Sequence, residues 1–156
     1  CPYPYKRLLS KDIIDWMIKT KRFAFIKDTC CDINVINTRL TQLKGSGIGL
    51  FNANGQTLYD SLKLGAAGYS GIMANFICEP IVWLVNNYKL EEAKKFGTDF
   101  AFYSFIENQS YPASGKYALQ LNGIDILLDS RKDCERFFNQ YTKDLVDKLL
   151  NAFKNK

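Results

Sequence analysis

Apolar positions along this chain follow two patterns. Over residues 11–21, Ile13, Ile14, Met17 and Ile18 fall at helical spacing. Phe23-Ala24-Phe25-Ile26 is then a short unbroken apolar run ending on Lys27-Asp28-Thr29, the pattern of a buried strand with a polar exit. Helical spacing returns over residues 33–44, with Ile36, Leu40 and Leu43 on one face, and Gly45-Ser46-Gly47 reads as a loop. Ile48-Gly49-Leu50-Phe51 is a second apolar run, exiting into Asn52-Ala53-Asn54-Gly55. Thr57 to Leu64 is predicted helical and closed by Gly65. Gly68 to Ala74 gives a third strand, rich in small residues and exiting at Asn75, and Pro80 fits the first turn of the helix that follows. Strands are expected at 23–27, 48–52 and 69–74.

The order is helix, strand, helix, strand, helix, strand, helix, and each strand is continuous and apolar. A parallel sheet covered by helices produces that pattern, so the fold class is α/β. No strand is evident after residue 90. Residues 91–107, 114–122 and 131–154 read as helices, the last with Phe137, Tyr141, Leu145, Leu149 and Phe153 at four-residue steps. Three parallel strands do not close a barrel, whereas as the last three of an eight-stranded (β/α)8 TIM barrel they fit a fold of about 250 residues. The expected organisation is a C-terminal portion of that barrel over 1–90 and a C-terminal helical region over 91–156.

Composition narrows the function classes. Of the 156 residues, 47% are hydrophobic and 24% charged, which suits a globular chain and not a disordered one. The net charge of +5 is modest, and basic groups such as Lys19, Lys21 and Arg22 read as a solvated face, so no nucleic-acid partner is expected. No apolar run approaches the roughly 18 residues of a membrane span. The five cysteines are odd in number, with only Cys30 and Cys31 close together; this is no disulfide framework, and a cytoplasmic setting is expected. The absence of histidine removes His-based nucleophile and metal sites. No metal site is expected. The opening Cys1-Pro2-Tyr3-Pro4 reads as a start inside a longer protein, or an engineered or processed one.

In a barrel of this kind the active site lies at the C-terminal ends of the strands, here Lys27-Asp28-Thr29, Asn52-Ala53-Asn54 and Asn75. A lysine ending a buried strand is chemically suggestive. Desolvation favours the neutral amine, which can attack a carbonyl and form an imine. The same pattern also suits a surface lysine that snorkels, and asparagines at strand exits also suit turns.

The segment Phe25-Ile26-Lys27-Asp28-Thr29, with Asp32 three residues on, resembles the Schiff-base lysine segment of the dihydrodipicolinate synthase / N-acetylneuraminate lyase family. Leu64-Gly65-Ala66-Ala67-Gly68 through Asn75 resembles that family's glycine-rich last strand, and Glu91 to Phe105 its post-barrel helix. Pro112 through Lys116-Tyr117-Ala118-Leu119 and Gly123 resembles a further segment, and Cys1-Pro2 the residues just after its catalytic tyrosine. The resemblance covers essentially the whole chain, in order.

It implies a class I aldolase-type lyase or synthase in which Lys27 forms an imine with pyruvate or another 2-keto acid, an aldehyde is the second substrate, and no cofactor is needed. Thr29, Asn52, Ala53, Asn54, Ser70 and Asn75 are the expected substrate-binding positions. An apolar floor of Phe25, Leu50 and Ile72 is expected beneath the amine. The proton-shuttling tyrosine and carboxylate-binding residues would belong to an N-terminal half of the barrel, without which little activity is expected. The intact protein is expected to be a homotetramer. Departures from the family pattern are Cys31 where glycine is usual, Gly55 and Gln56 where sialic-acid lyases carry acids, and Gly71, Ile72 or Met73 where a serine or threonine is frequent. A sugar-acid aldolase of N-acetylneuraminate lyase or 2-keto-3-deoxy-sugar-acid type, and a catalytically inactive binding protein, remain as alternatives.

Overall fold

The structure, a computed structural model, describes residues 7–131 and 137–153. Helix α1 (Lys11–Thr20) starts at Ser10, whose hydroxyl accepts from the Ile13 N–H, and ends at Lys21 in the left-handed region. Strand β1 (Phe25–Asp28) follows, then α2 (Ile33–Leu43), β2 (Gly49–Asn52), α3 (Leu58–Lys63) and the two-residue β3 (Gly68–Tyr69). The sheet is parallel in the order β1-β2-β3, with Lys27 opposite Phe51, Asp28 opposite Asn52, and Asn52 opposite Tyr69. The expected three neighbouring parallel strands are therefore present, as the end of a (β/α)8 barrel requires.

The sheet differs from expectation in two ways. The third strand stops at Tyr69, and Ile72–Asn75 is a 3-10 turn, so Asn75 ends a turn and Ile72 is no strand residue. The strands also do not bury uniformly. β1 and β2 alternate, with Ile26, Asp28, Leu50 and Asn52 buried against the helix layer while Phe25 is 62% exposed. The continuous apolar pattern marks a strand with two faces to cover, and in this chain helices cover one of them.

Beyond the sheet come α4 (Cys78–Asn87), α5 (Glu91–Tyr103), a 3-10 turn (Ser104–Asn108), α6 (Ala113–Leu121) and α7 (Gln140–Asn151). The helix expected over 131–154 is thus shorter at its start, with residues 132–136 and 154 outside the described ones. Its buried face is Thr142, Val146, Leu149 and Leu150, while Phe137 and Tyr141 are exposed. The expected stripe fails because four-residue steps overshoot a helical turn by about 40° each.

Packing divides the chain into two units. The first takes residues up to Gly71 together with Leu84–Ala101. Ile14, Met17, Ile26, Ile36, Leu43, Ile48, Leu50 and Ala66 form a core there between the sheet and its helices. The second takes Ile72–Trp83 and the described residues from Phe102 onward. In it α6 packs on α7, and the Tyr117 hydroxyl donates to Asp147 at 3.3 Å.

Candidate active site

Period-two geometry decides what surrounds Lys27. Its neighbours Ile26 and Asp28 turn to the helix layer, so Lys27 lies on the opposite face with Phe25 and Phe51, and it is exposed. Phe25 and Phe51 meet edge to face at 5.9 Å. A Cβ on Gly68 would stand 2.9 Å from the Phe51 ring, so that ring overlies β3. The apolar surface beside Lys27 is therefore Phe25 and Phe51. Leu50, expected there, lies on the other face in the core.

The strand exits stand side by side. Ala53 N–H donates to the Asp28 carbonyl at 2.8 Å, and Ser70 N–H to the Asn52 carbonyl at 2.8 Å. This brings Lys27, Thr29, Ala53, Asn54 and Ser70 to one edge of the sheet. Gly71 closes it, since a Cβ there would meet the Ala53 carbonyl oxygen at 2.3 Å and the Tyr69 hydroxyl at 2.2 Å. That contact gives a physical reason why a serine or threonine does not occupy position 71.

Asn52 shares the edge but not the open face. It is fully buried, its amide donates to Thr57 Oγ1 at 2.9 Å and Ser61 Oγ at 3.0 Å, and its Oδ1 accepts from Asn54 N–H at 2.8 Å. Asn54 Oδ1 in turn accepts from the Thr57 N–H at 3.0 Å and its hydroxyl at 2.9 Å, closing the turn into α3. Gly55 is buried, and Gln56 accepts from the Asn54 amide. Asn75 belongs to the second unit, where its amide donates to the Tyr111 hydroxyl at 3.1 Å. Cys1 and Pro2, matched to the residues after a catalytic tyrosine, lie outside the described residues.

Sequence reasoning missed what holds the lysine segment. Asp28 is 1% exposed, and its carboxylate accepts from the Cys30 N–H at 2.8 Å and from the Arg39 guanidinium. Burial opposes its ionisation, but hydrogen bonds from Cys30 and Arg39 and the charge of Arg39 together outweigh it, holding the carboxyl below its ordinary value. Burial first, then the Asp28 carboxylate, pushes the Cys30 thiol up to about 11. Two residues on, Asp32 caps α2, accepting from the N–H groups of Asn34 and Val35 at 2.8 and 3.4 Å. The signal for the ion pair was present: strand alternation sends Asp28 to the helix side, and Arg39 lies on the α2 face of Ile36 and Leu43.

A groove of about 480 Å³ opens between α1 and α2, lined by Leu8, Leu9, Ile14, Val35 and Arg39 among others. Lys27 does not line it; it lies on the other side of the sheet. Among the described residues, no group of three acidic or cysteine side chains could hold a metal ion, and no helix is long and apolar enough to cross a membrane.

No protein-family model matches the chain, and no curated protein matches it by sequence. Solved structures do match. YagE, a prophage protein of the dihydrodipicolinic acid synthase family from E. coli K12 determined in complex with pyruvate, matches with a TM-score of 0.82 and 17% identity over 99% of this chain and 54% of its own. A monomeric dihydrodipicolinate synthase variant matches at TM-score 0.75 and 18% identity over 96% and 52%. The dihydrodipicolinate synthase of Oceanobacillus iheyensis matches at 0.71 and 16% over 95% and 52%. The chain spans about half the length of each, and at these identities the likeness is one of fold. Its three parallel strands and trailing helices are the fold of the C-terminal half of the (β/α)8 barrel found in structures of the dihydrodipicolinate synthase family.

Proposed function

We propose that this chain is the C-terminal half of a Schiff-base-forming lyase or synthase of the dihydrodipicolinate synthase type, acting on pyruvate or another 2-keto acid, with Lys27 as the imine-forming residue. The observation that carries the reading is the position of Lys27. It lies near the C-terminal end of β1, on the face turned away from the helix layer. That end of a barrel strand is where such folds place their chemistry. The pyruvate complex of YagE supports the substrate class.

In this reading the neutral amine of Lys27 adds to the keto carbon and water leaves. The protonated imine then withdraws electrons, so that the adjacent carbon can form or break a bond to an aldehyde. The covalent imine takes the place of a cofactor. Thr29, Ala53, Asn54 and Ser70 at the strand exits are the proposed substrate contacts. Asn52 acts through the loop it holds. Gly55 and Gln56 supply no carboxylate for a sugar hydroxyl, which disfavours a sialic-acid substrate.

Three strands do not close a barrel, and β1 has no strand on its outer side among the described residues. The reading therefore includes an N-terminal half-barrel as partner, and assembly of the whole as a cytoplasmic homotetramer. The test is borohydride reduction of the protein containing both halves in the presence of pyruvate, followed by trypsin. A modified Lys27 blocks cleavage there and leaves the adduct in the peptide running from Phe23 to Arg39. Reduction at another lysine overturns the assignment, and pyruvate binding without a trappable adduct establishes an inactive relative instead.

A further inference from the structure

Cys30 and Cys31 stand at adjacent positions in the loop between β1 and α2, and both thiols hold that loop. Cys30 Sγ, half-buried, donates to the Asp32 carbonyl at 3.5 Å, and Cys31 Sγ, exposed, donates to the Thr29 carbonyl at 3.6 Å. Each sulfur thus fixes the carbonyl on the far side of the other residue. Cys31 also has φ +60°, a left-handed conformation that costs an ordinary L-residue about 1–2 kcal/mol. Strain and two donor thiols are concentrated in a segment that begins two residues after Lys27.

We propose that Cys30 and Cys31 are a redox modification site that closes to a disulfide between adjacent residues when a peroxide reaches it. The exposed Cys31 sulfur attacks an oxygen of hydrogen peroxide. An S–O bond forms, the O–O bond breaks, and hydroxide leaves with the thiol proton as water. The Cys30 sulfur then attacks the Cys31 sulfur. The S–S bond forms, the S–O bond breaks, and the hydroxyl leaves with the Cys30 proton as a second water. Two thiols lose two electrons and one peroxide takes them up. Cys30, half-buried and beside a carboxylate, is kept protonated, so the first attack falls to the exposed Cys31, and Cys30 follows as its proton leaves.

Closure consumes both S–H donors: the Asp32 carbonyl keeps the Ile36 N–H at 3.0 Å, but both thiol contacts across the loop are lost, so the loop between Lys27 and the α2 cap rearranges. Adjacent Cα atoms lie about 3.8 Å apart, closer than an ordinary disulfide spans. The bond is therefore strained and easily reduced, which makes a switch and not a staple. The disulfide does not depend on the role proposed for Lys27; only its effect on activity does.

The test uses the protein containing both barrel halves with roughly equimolar hydrogen peroxide, then alkylation and trypsin. Residues 28–39 form one tryptic peptide holding both cysteines and no internal Lys or Arg. The expected result is that this peptide becomes two hydrogens lighter and loses both alkylation sites. Dithiothreitol restores it, while the exposed Cys78 stays alkylatable. In Cys31→Gly, whose residue suits φ +60°, the Cys30 thiol should survive the same treatment, with circular dichroism confirming the fold. Sulfinate at Cys31 beside an intact Cys30 thiol, a cross-link between chains through Cys31, or equal oxidation of Cys78 would each overturn the proposal.

Discussion

Arg39 reaches from α2 to Asp28 at the end of β1 and closes an ion pair sealed from solvent, with side chains 7% and 0% exposed. Because Asp28 and Lys27 are consecutive on a strand, anchoring Asp28 to the helix layer fixes Lys27 on the opposite face. Arg39 also donates to the Leu9 carbonyl at 3.4 Å, tying the segment before α1 to the same point.

Arg39→Ala should therefore destabilise strongly. It leaves a buried carboxylate without its cation, a loss of about 3–5 kcal/mol for pairs of this kind. A double variant, Asp28→Leu with Arg39→Met, should recover much of that loss, because apolar residues need no partner. Urea unfolding followed by circular dichroism distinguishes the two. A single variant as stable as the parent would show that the pair contributes nothing.

The same pair sets an acid dependence. The Asp28 carboxyl is held below its ordinary 3.8 in the folded chain, so its contribution is fully present above that value and is lost as pH falls through the lower, folded one. As pH falls below about 4 the urea midpoint of the parent should fall more steeply than that of Asp28→Asn. Parallel curves would show that Asp28 titrates alike in both states.

Much of this was legible in the sequence. Short apolar runs separated by helical spacing identify β1 and β2 within two residues, because a strand whose two faces are both meant to be covered reads as a continuous apolar run. The end of β3 was not legible. Gly71, Ile72 and Met73 look like strand residues, but the close approach of Gly71 to the Ala53 carbonyl turns the chain into a 3-10 turn, a tertiary constraint absent from local propensity. Facing was lost in a similar way. A continuous apolar run does not say which residues meet the helices, so the run alone predicts Leu50 beside the amine where Phe51 stands.

Asn52 separates a structural role from a ligand role. Its side chain makes three hydrogen bonds in a fully buried position, so Asn52→Ala should cost about 2 kcal/mol of stability by stranding the Asn54 N–H and removing the bonds to the Thr57 and Ser61 hydroxyls. Thermal unfolding measures it. An unchanged melting temperature would mean the network is dispensable.

Cys31→Gly should move stability the other way. Relief of the left-handed strain is worth about 1–2 kcal/mol, against which glycine's freedom in the unfolded chain costs about 0.5–1 kcal/mol. A small net gain in the urea midpoint is expected. A clear loss would show that the Cys31 thiol contact to Thr29 outweighs the strain.

Lys27→Arg tests the chemistry with the least disturbance to the fold. The side chain is exposed and lies outside the core of Ile26 and Leu50, and the substitution keeps its charge, so the unfolding midpoint should stay within about 0.5 kcal/mol of the parent. A guanidinium remains protonated and cannot add to a carbonyl. In the protein containing both barrel halves, borohydride trapping of pyruvate should therefore vanish and turnover fall by several orders of magnitude. Lys27→Ala should lose trapping equally, which separates loss of the amine from any effect of the bulkier arginine. Since Phe25 and Phe51 flank this position in either variant, a Lys27→Arg protein that still traps pyruvate at full yield would mean that the imine forms on another lysine, and the role of β1 in the proposed mechanism would have to be abandoned.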